Sequence, residues 1–193
     1  ILGWGGYWAW DPVENVALMP WLALTAFLHS SMAQEMRSLL RRWNICLIFL
    51  AFFLSIFGTF ITRSGLISSV HSFAQSSIGP YFIVFIIFIV LFSLFIYQKN
   101  KKIISSEEDI VSLLSKENFL IFNNIFFLII TLTVFLGTVF PIISEAITGE
   151  KILVGPTFYD LVNFPNVLLL MSLMSVAPII PWKSAKLITL LIY

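Results

Sequence analysis

Charge is scarce in this 193-residue chain: only 11% of the residues are Asp, Glu, Lys or Arg, against 59% hydrophobic and 16% aromatic. Soluble domains carry roughly a quarter charged residues, so a water-soluble fold is excluded. Cysteine is scarcer still. Cys46 stands alone in an apolar run, which removes an internal disulfide, a CxxC pair and a thiolate metal cluster, and leaves any thiol chemistry to a partner's thiols. Net charge is also nearly absent, at +1 from 11 basic and 10 acidic residues, so nothing points to nucleic acid or another bulk electrostatic partner. Histidine occurs twice, as His29 and His71.

Phenylalanine and aliphatic residues fill the space. Charge-free stretches cover 15–34, 43–62, 64–98, 118–144 and 161–182, most of them near or above the ~20 residues that a helix needs to cross hydrocarbon. The expected fold is all-α: a polytopic transmembrane bundle of about five spans plus a partial sixth. The spans are expected at 15–34, 43–62, 81–97, 118–144 and 164–182, with 183–193 beginning another apolar segment. Four regions follow: an aromatic segment 1–15, two spans with a basic connection 16–62, a histidine loop 63–80 rich in serine, and further spans over 81–193. Alternating the spans puts Arg37, Arg41, Arg42, Lys99, Lys101, Lys102, Lys116, Lys183 and Lys186 on one side and leaves Arg63 and Lys151 on the other. The positive-inside rule then assigns 1–14, 63–80 and 145–163 to the outer face, periplasm or intermembrane space, where the three could meet. Gly58 and Gly137, late in two outward spans, read as points of close helix approach. The chain starts with Ile and ends in a short apolar segment, so the expectation is part of something longer or one piece of a divided protein.

Residues 3–15 read Gly-Trp-Gly-Gly-Tyr-Trp-Ala-Trp-Asp-Pro-Val-Glu-Asn. Trp and Tyr at the headgroup level form belts in many membrane proteins, which is the plain reading. An anchor needs no glycines, however. Gly3, Gly5 and Gly6 permit a close approach, and Trp4, Tyr7, Trp8 and Trp10 offer rigid π faces, so the segment also reads as a platform for a planar aromatic molecule. Asp11-Pro12-Val13-Glu14 has the grammar of a helix start, with Asp as N-cap, Pro first and Glu closing a capping box.

These residues, with Asn15 and the continuation Met19-Pro20-Trp21, resemble the tryptophan-rich WWD domain of haem-handling proteins, specifically the CcmF-type cytochrome c haem lyases. The resemblance runs on through Phe27-Leu28-His29-Ser30, Gly58 to Gly65, Ser69 to Ala74, Asn123-Asn124, Gly137-Thr138 and Val154-Gly155-Pro156. It implies haem b as ligand, with the substrate haem at the outer face over Trp4, Gly5, Gly6, Trp8, Trp10, Asp11, Glu14 and Asn15. His71 would be one of its axial ligands. His29, an ionisable group within a span, reads either as a functional residue or as a neutral imidazole hydrogen-bonded to a neighbouring helix; the resemblance implies that it would ligate an intramembrane haem. Each would need its second histidine from polypeptide outside this sequence. Arg63 reads either as a helix-end cation or as a clamp for a haem propionate.

The function implied is that of a haem lyase subunit which presents haem so that two thiols of a CxxCH segment add to its vinyl groups. The partners implied are the remaining lyase subunits or parts of a split lyase, a haem chaperone, apocytochrome c and quinol, and no nucleic acid. No catalytic acid or base is evident. The rival reading is a non-catalytic haem-delivery or scaffold subunit, and a solute transporter is disfavoured by spans almost free of ionisable groups. The Phe, Ile and Asn richness suits an AT-rich organellar genome, so the mitochondrial inner membrane is the expected location and a bacterial inner membrane the alternative.

Overall fold

The computed structural model describes residues 7–67, 69, 77–104 and 115–182, except the side chain of Arg37. Trp4, Gly5, Gly6, His71, the stretch 105–114 and the segment 183–193 lie outside the described residues. Five helices account for most of the remainder: α1 (Pro12–Arg37), α2 (Arg41–Ser64), α3 (Gly79–Asn100), α4 (Lys116–Thr148) and α5 (Pro156–Val176). All five are long and apolar enough to cross a membrane, and no strand occurs among the described residues. The protein is a polytopic helical bundle.

The core is the three-way junction of α1, α2 and α4. On α1, Val16, Met19, Leu22, Ala23 and Ala26 recur at the three- and four-residue spacing that places them on one face. They meet Leu47, Ala51, Leu54 and Ile61 of α2 and Phe127, Ile130 and Val134 of α4. α3 packs only on α2, and α5 only on α4, so both leave much apolar surface uncovered. Close approach of the central helices depends on glycine: a Cβ on Gly58 would lie 3.2 Å from the Val16 carbonyl oxygen, and one on Gly137 would lie 2.7 Å from the Tyr159 ring. The expectation that both mark tight contacts holds.

Helix limits follow local chemistry. Asp11 caps α1 by accepting from the Val13 amide at 2.9 Å, and Glu14 accepts from the Asp11 amide at 3.1 Å, completing the capping box. α1 and α2 are joined by a tight turn in which Ser38 and Leu40 take left-handed conformations, at φ 56° and 64°. Asn44 locks this turn by donating to the Gln34 side chain at 2.6 Å and to the Ser30 carbonyl at 3.3 Å. The last span departs from expectation. Residues 145–163 read as a polar connection, yet α4 runs on to Thr148 and α5 already starts at Pro156. Pro156 fits the first turn of a helix, where its missing N–H costs nothing, and Tyr159 and Asn163, polar in sequence, are buried against neighbouring helices.

Alternation of the helices sorts the charges. Arg41 and Arg42 begin α2, Lys99, Lys101 and Lys102 close α3, and Lys116 begins α4, all at one end of the bundle. A groove shared by Cys46, Leu50 and Phe53 of α2 with Val90, Leu94 and Tyr97 of α3 fixes this antiparallel pairing. At the opposite end, Asp11 accepts from the Ser69 hydroxyl at 2.5 Å, and Lys151 donates to the Leu66 carbonyl at 2.5 Å. The described parts of the three expected outer segments therefore meet at one end.

Candidate functional site

At the Asp11 end, residues 8–15 are tied into the bundle through Trp10. Its indole lies parallel to the Tyr159 ring, with centroids 5.0 Å apart and planes 13° from parallel, and its Nε1–H donates to Asp160 at 2.8 Å. Trp8 meets it edge-on at 5.6 Å. The Trp10 backbone is left-handed, at φ 55°, a conformation that costs free energy in a non-glycine residue and persists only where surrounding contacts enforce it. Asn15, fully buried, supplies one such contact by donating to the Trp10 carbonyl at 3.1 Å and to the Thr138 hydroxyl at 3.2 Å. Glu14 adds another by accepting from the Ala9 amide at 2.9 Å.

Of the expected platform residues, the structure thus brings Trp8, Trp10, Asp11, Glu14 and Asn15 together. One face of Trp10 is already occupied by Tyr159. The residue also borders a groove of about 860 Å³ between α1, α4 and α5, where Trp21, Phe127, Asp160 and Asn163 contribute walls. Trp8 is 41% exposed and is the more open of the two indoles. Arg63 lies exposed in the last turn of α2 at this same end. Tyr159, Asp160 and Thr138 were not singled out as site residues in the sequence. Their only signal was membership of an apparent loop or of a Gly-Thr pair.

His29 is elsewhere, ~27 Å further along α1 from Asp11 at 1.5 Å per residue. Its Nδ1 lies 2.7 Å from the Asn123 amide nitrogen, and its ring leans on Phe127 at 5.6 Å. On its open side is a cavity of about 390 Å³, walled by Met32, Phe119, Leu120, Leu173, Met174 and Trp182, with Lys116 at its rim. The Lys116 ammonium sits 5.5 Å over the Trp182 ring. One imidazole, apolar walls and a cation fit the edge of a haem: the ring nitrogen supplies a single axial ligand, the walls suit a porphyrin, and the ammonium suits a propionate. Among the described residues no three His, Cys, Asp or Glu side chains converge, and the cavity is lined by this one imidazole together with the thioethers of Met32 and Met174.

The fold and site define a polytopic helical membrane protein with an acid-capped tryptophan knot at one end and a half-buried imidazole lining a cavity towards the other. Residues 2–68 match the family described as cytochrome C assembly protein. Over 96% of its length the chain is 42% identical to the cytochrome c-type biogenesis protein ccl1 of Rhodobacter capsulatus and 40% identical to CycK of Rhizobium meliloti, covering 28% of each. Over 94% of its length it is 37% identical to CcmF of Pseudomonas aeruginosa, again covering 28%. The solved structure of the cytochrome c haem lyase CcmF superposes with a TM-score of 0.72 at 33% identity, covering all of this chain and 28% of that one. In sequence and in fold the chain is similar to one segment of these CcmF-type proteins, and it spans a little over a quarter of their length.

Proposed function

We propose that this chain is part of a cytochrome c haem lyase of an energy-transducing inner membrane, and that its Asp11 end faces the periplasm or intermembrane space. The basic residues gathered at the opposite end support that orientation. The relatives are bacterial, and the organellar location remains a proposal from composition. The four regions 1–15, 16–62, 63–80 and 81–193 serve as outer platform, two spans, histidine loop and further spans.

The observation that carries the reading is the Trp8–Trp10 pair, with Trp10 stacked on Tyr159 and bonded to Asp160, next to the Asp11 cap that Ser69 reaches. Substrate haem would lie against Trp8, with Trp4, Gly5 and Gly6 extending the platform, His71 as one axial ligand and Arg63 meeting a propionate. Two thiols of the apocytochrome CxxCH segment would add across the vinyl groups to give thioethers. Catalysis is positional in this scheme: a platform fixed by the capping box and by Tyr159 holds the vinyl carbons where incoming thiols arrive. Haem b bound at His29 would supply electron transfer from quinol. There the chain's own task is to hold the imidazole ring, exclude water with Phe119, Leu120 and Leu173, and neutralise a carboxylate with Lys116. The remaining lyase polypeptide, a haem chaperone and apocytochrome c complete the assembly.

A second reading, a non-catalytic delivery or scaffold subunit, is favoured by one observation: a face of Trp10 is spent on Tyr159 inside the bundle. Thioether formation by the assembled complex separates them. Trp8→Ala should abolish covalent cytochrome while the complex still accumulates; unchanged yield of covalent cytochrome with Trp8→Ala would favour the scaffold.

A further inference from the structure

His29 and Asn123 come from helices α1 and α4 and touch across the core, 94 residues apart in the chain, at 2.7 Å. Asn123 is buried, and its Oδ1 has no hydrogen-bond partner among the described residues. The oxygen and nitrogen of an asparagine amide exchange places by rotation about one bond, so the pair has two arrangements. With the amide nitrogen donating, Nδ1 is the ring's acceptor, the proton resides on Nε2, and the nitrogen turned away from Asn123 has no lone pair for a metal. With the oxygen turned to the ring, Nδ1–H donates to it and the Nε2 lone pair is free. Either way one amide atom stays without a partner; what the exchange alters is the imidazole.

We infer that Asn123 is a positioning residue for His29: it presents its carbonyl oxygen to Nδ1–H, fixing the tautomer in which Nε2 is the metal-binding nitrogen. The inference rests on the proposed intramembrane haem site. Three observations support it. At 2.7 Å the contact couples the tautomer to the orientation of the amide. The ring also leans on Phe127, with centroids 5.6 Å apart and planes tilted by 41°. Asn123 and His29 line the same cavity, and with Nδ1 engaged by Asn123 the ring's other nitrogen is Nε2. Histidine ligands generally donate their second ring N–H to a carbonyl or carboxylate, which orients the ring and increases its basicity. A more basic ligand stabilises the ferric state and lowers the haem potential.

The test uses the complete membrane complex, reading haem-to-protein ratio and the midpoint potential of the intramembrane haem by optical redox titration. His29→Ala should remove that haem. Should it leave the haem in place, the site reading itself falls, whatever Asn123 does. Given loss with His29→Ala, Asn123→Leu is expected to weaken haem retention by about 10- to 100-fold and to raise the potential of whatever haem remains. Asn123→Asp, which keeps an acceptor and strengthens it, should retain haem and shift the potential downward. Wild-type retention and potential in Asn123→Leu would overturn the inference. If Asn123→Leu fails to accumulate, Asn123→Asp decides alone: a lowered potential supports the positioning role, and an unmoved one overturns it.

Discussion

The two ends of α1 carry opposite kinds of site. Around Trp10, side chains from α1, α4, α5 and the 65–69 segment are stacked, capped and hydrogen-bonded into a knot whose geometry is over-determined. Around His29, among the described residues, there is one polar contact, one ring contact and a cavity wall of apolar side chains. The knot resembles a support, whose accuracy comes from redundancy; the His29 cavity resembles a receptacle, whose walls are more loosely tied. Tight and loose packing are thus divided along a single helix.

The sharpest way to break the contrast is to remove Tyr159, only 2% exposed and the face on which Trp10 rests. Tyr159→Ala is expected to cost about 3–5 kcal/mol, as for other buried aromatic truncations, read by thermal or SDS unfolding of the purified protein in detergent. Gly137→Ala attacks the same stack from behind, since its Cβ would penetrate to 2.7 Å from the ring. Overpacking of this kind costs about 1–3 kcal/mol, and a change in tryptophan emission should accompany it as Trp10 loses its parallel partner. Asp11→Ala should cost about 1 kcal/mol, the usual worth of an N-cap, and should also release Ser69, detectable as faster proteolysis near residue 69. At the other end, Met174→Ala in the wall of the His29 cavity should change stability by less than about 0.5 kcal/mol, because Met174 is already 56% exposed. A large loss there would mean that the receptacle is as tightly built as the knot.

Some of this arrangement could be read from sequence and some could not, for a definite reason. The capping box of Asp11 and Glu14 is written within four residues, and long apolar runs announce spans without any knowledge of their neighbours. His29 stood out because an ionisable group in hydrocarbon is rare. Tyr159 and Asp160 were hidden, and Asn123 was visible only as part of a resemblance without a role, because their meaning is supplied by residues 94 or more positions away. The start of α5 was missed on the same account: Tyr159, Asp160 and Asn163 have the polarity of a loop, and only the bundle shows that Tyr159 and Asn163 turn inward. His71, Trp4, Gly5 and Gly6 belong to the resemblance and fall outside the described residues.

The contact between Gly58 and the Val16 carbonyl has a consequence for how the bundle enters a bilayer. Pro20 stands four residues after Val16 within α1 and has no N–H to offer it, so the helical bond to that carbonyl is missing. Hydrocarbon cannot supply a substitute. The side-chain-free backbone of Gly58 brings α2 so close to that same oxygen that a Cβ there would lie 3.2 Å from it, and the packed helix covers what the proline exposed. A proline on one helix and a glycine on another are therefore one device: α1 by itself is a span with an open polar seam, and it becomes a complete transmembrane helix only when α2 docks beside it.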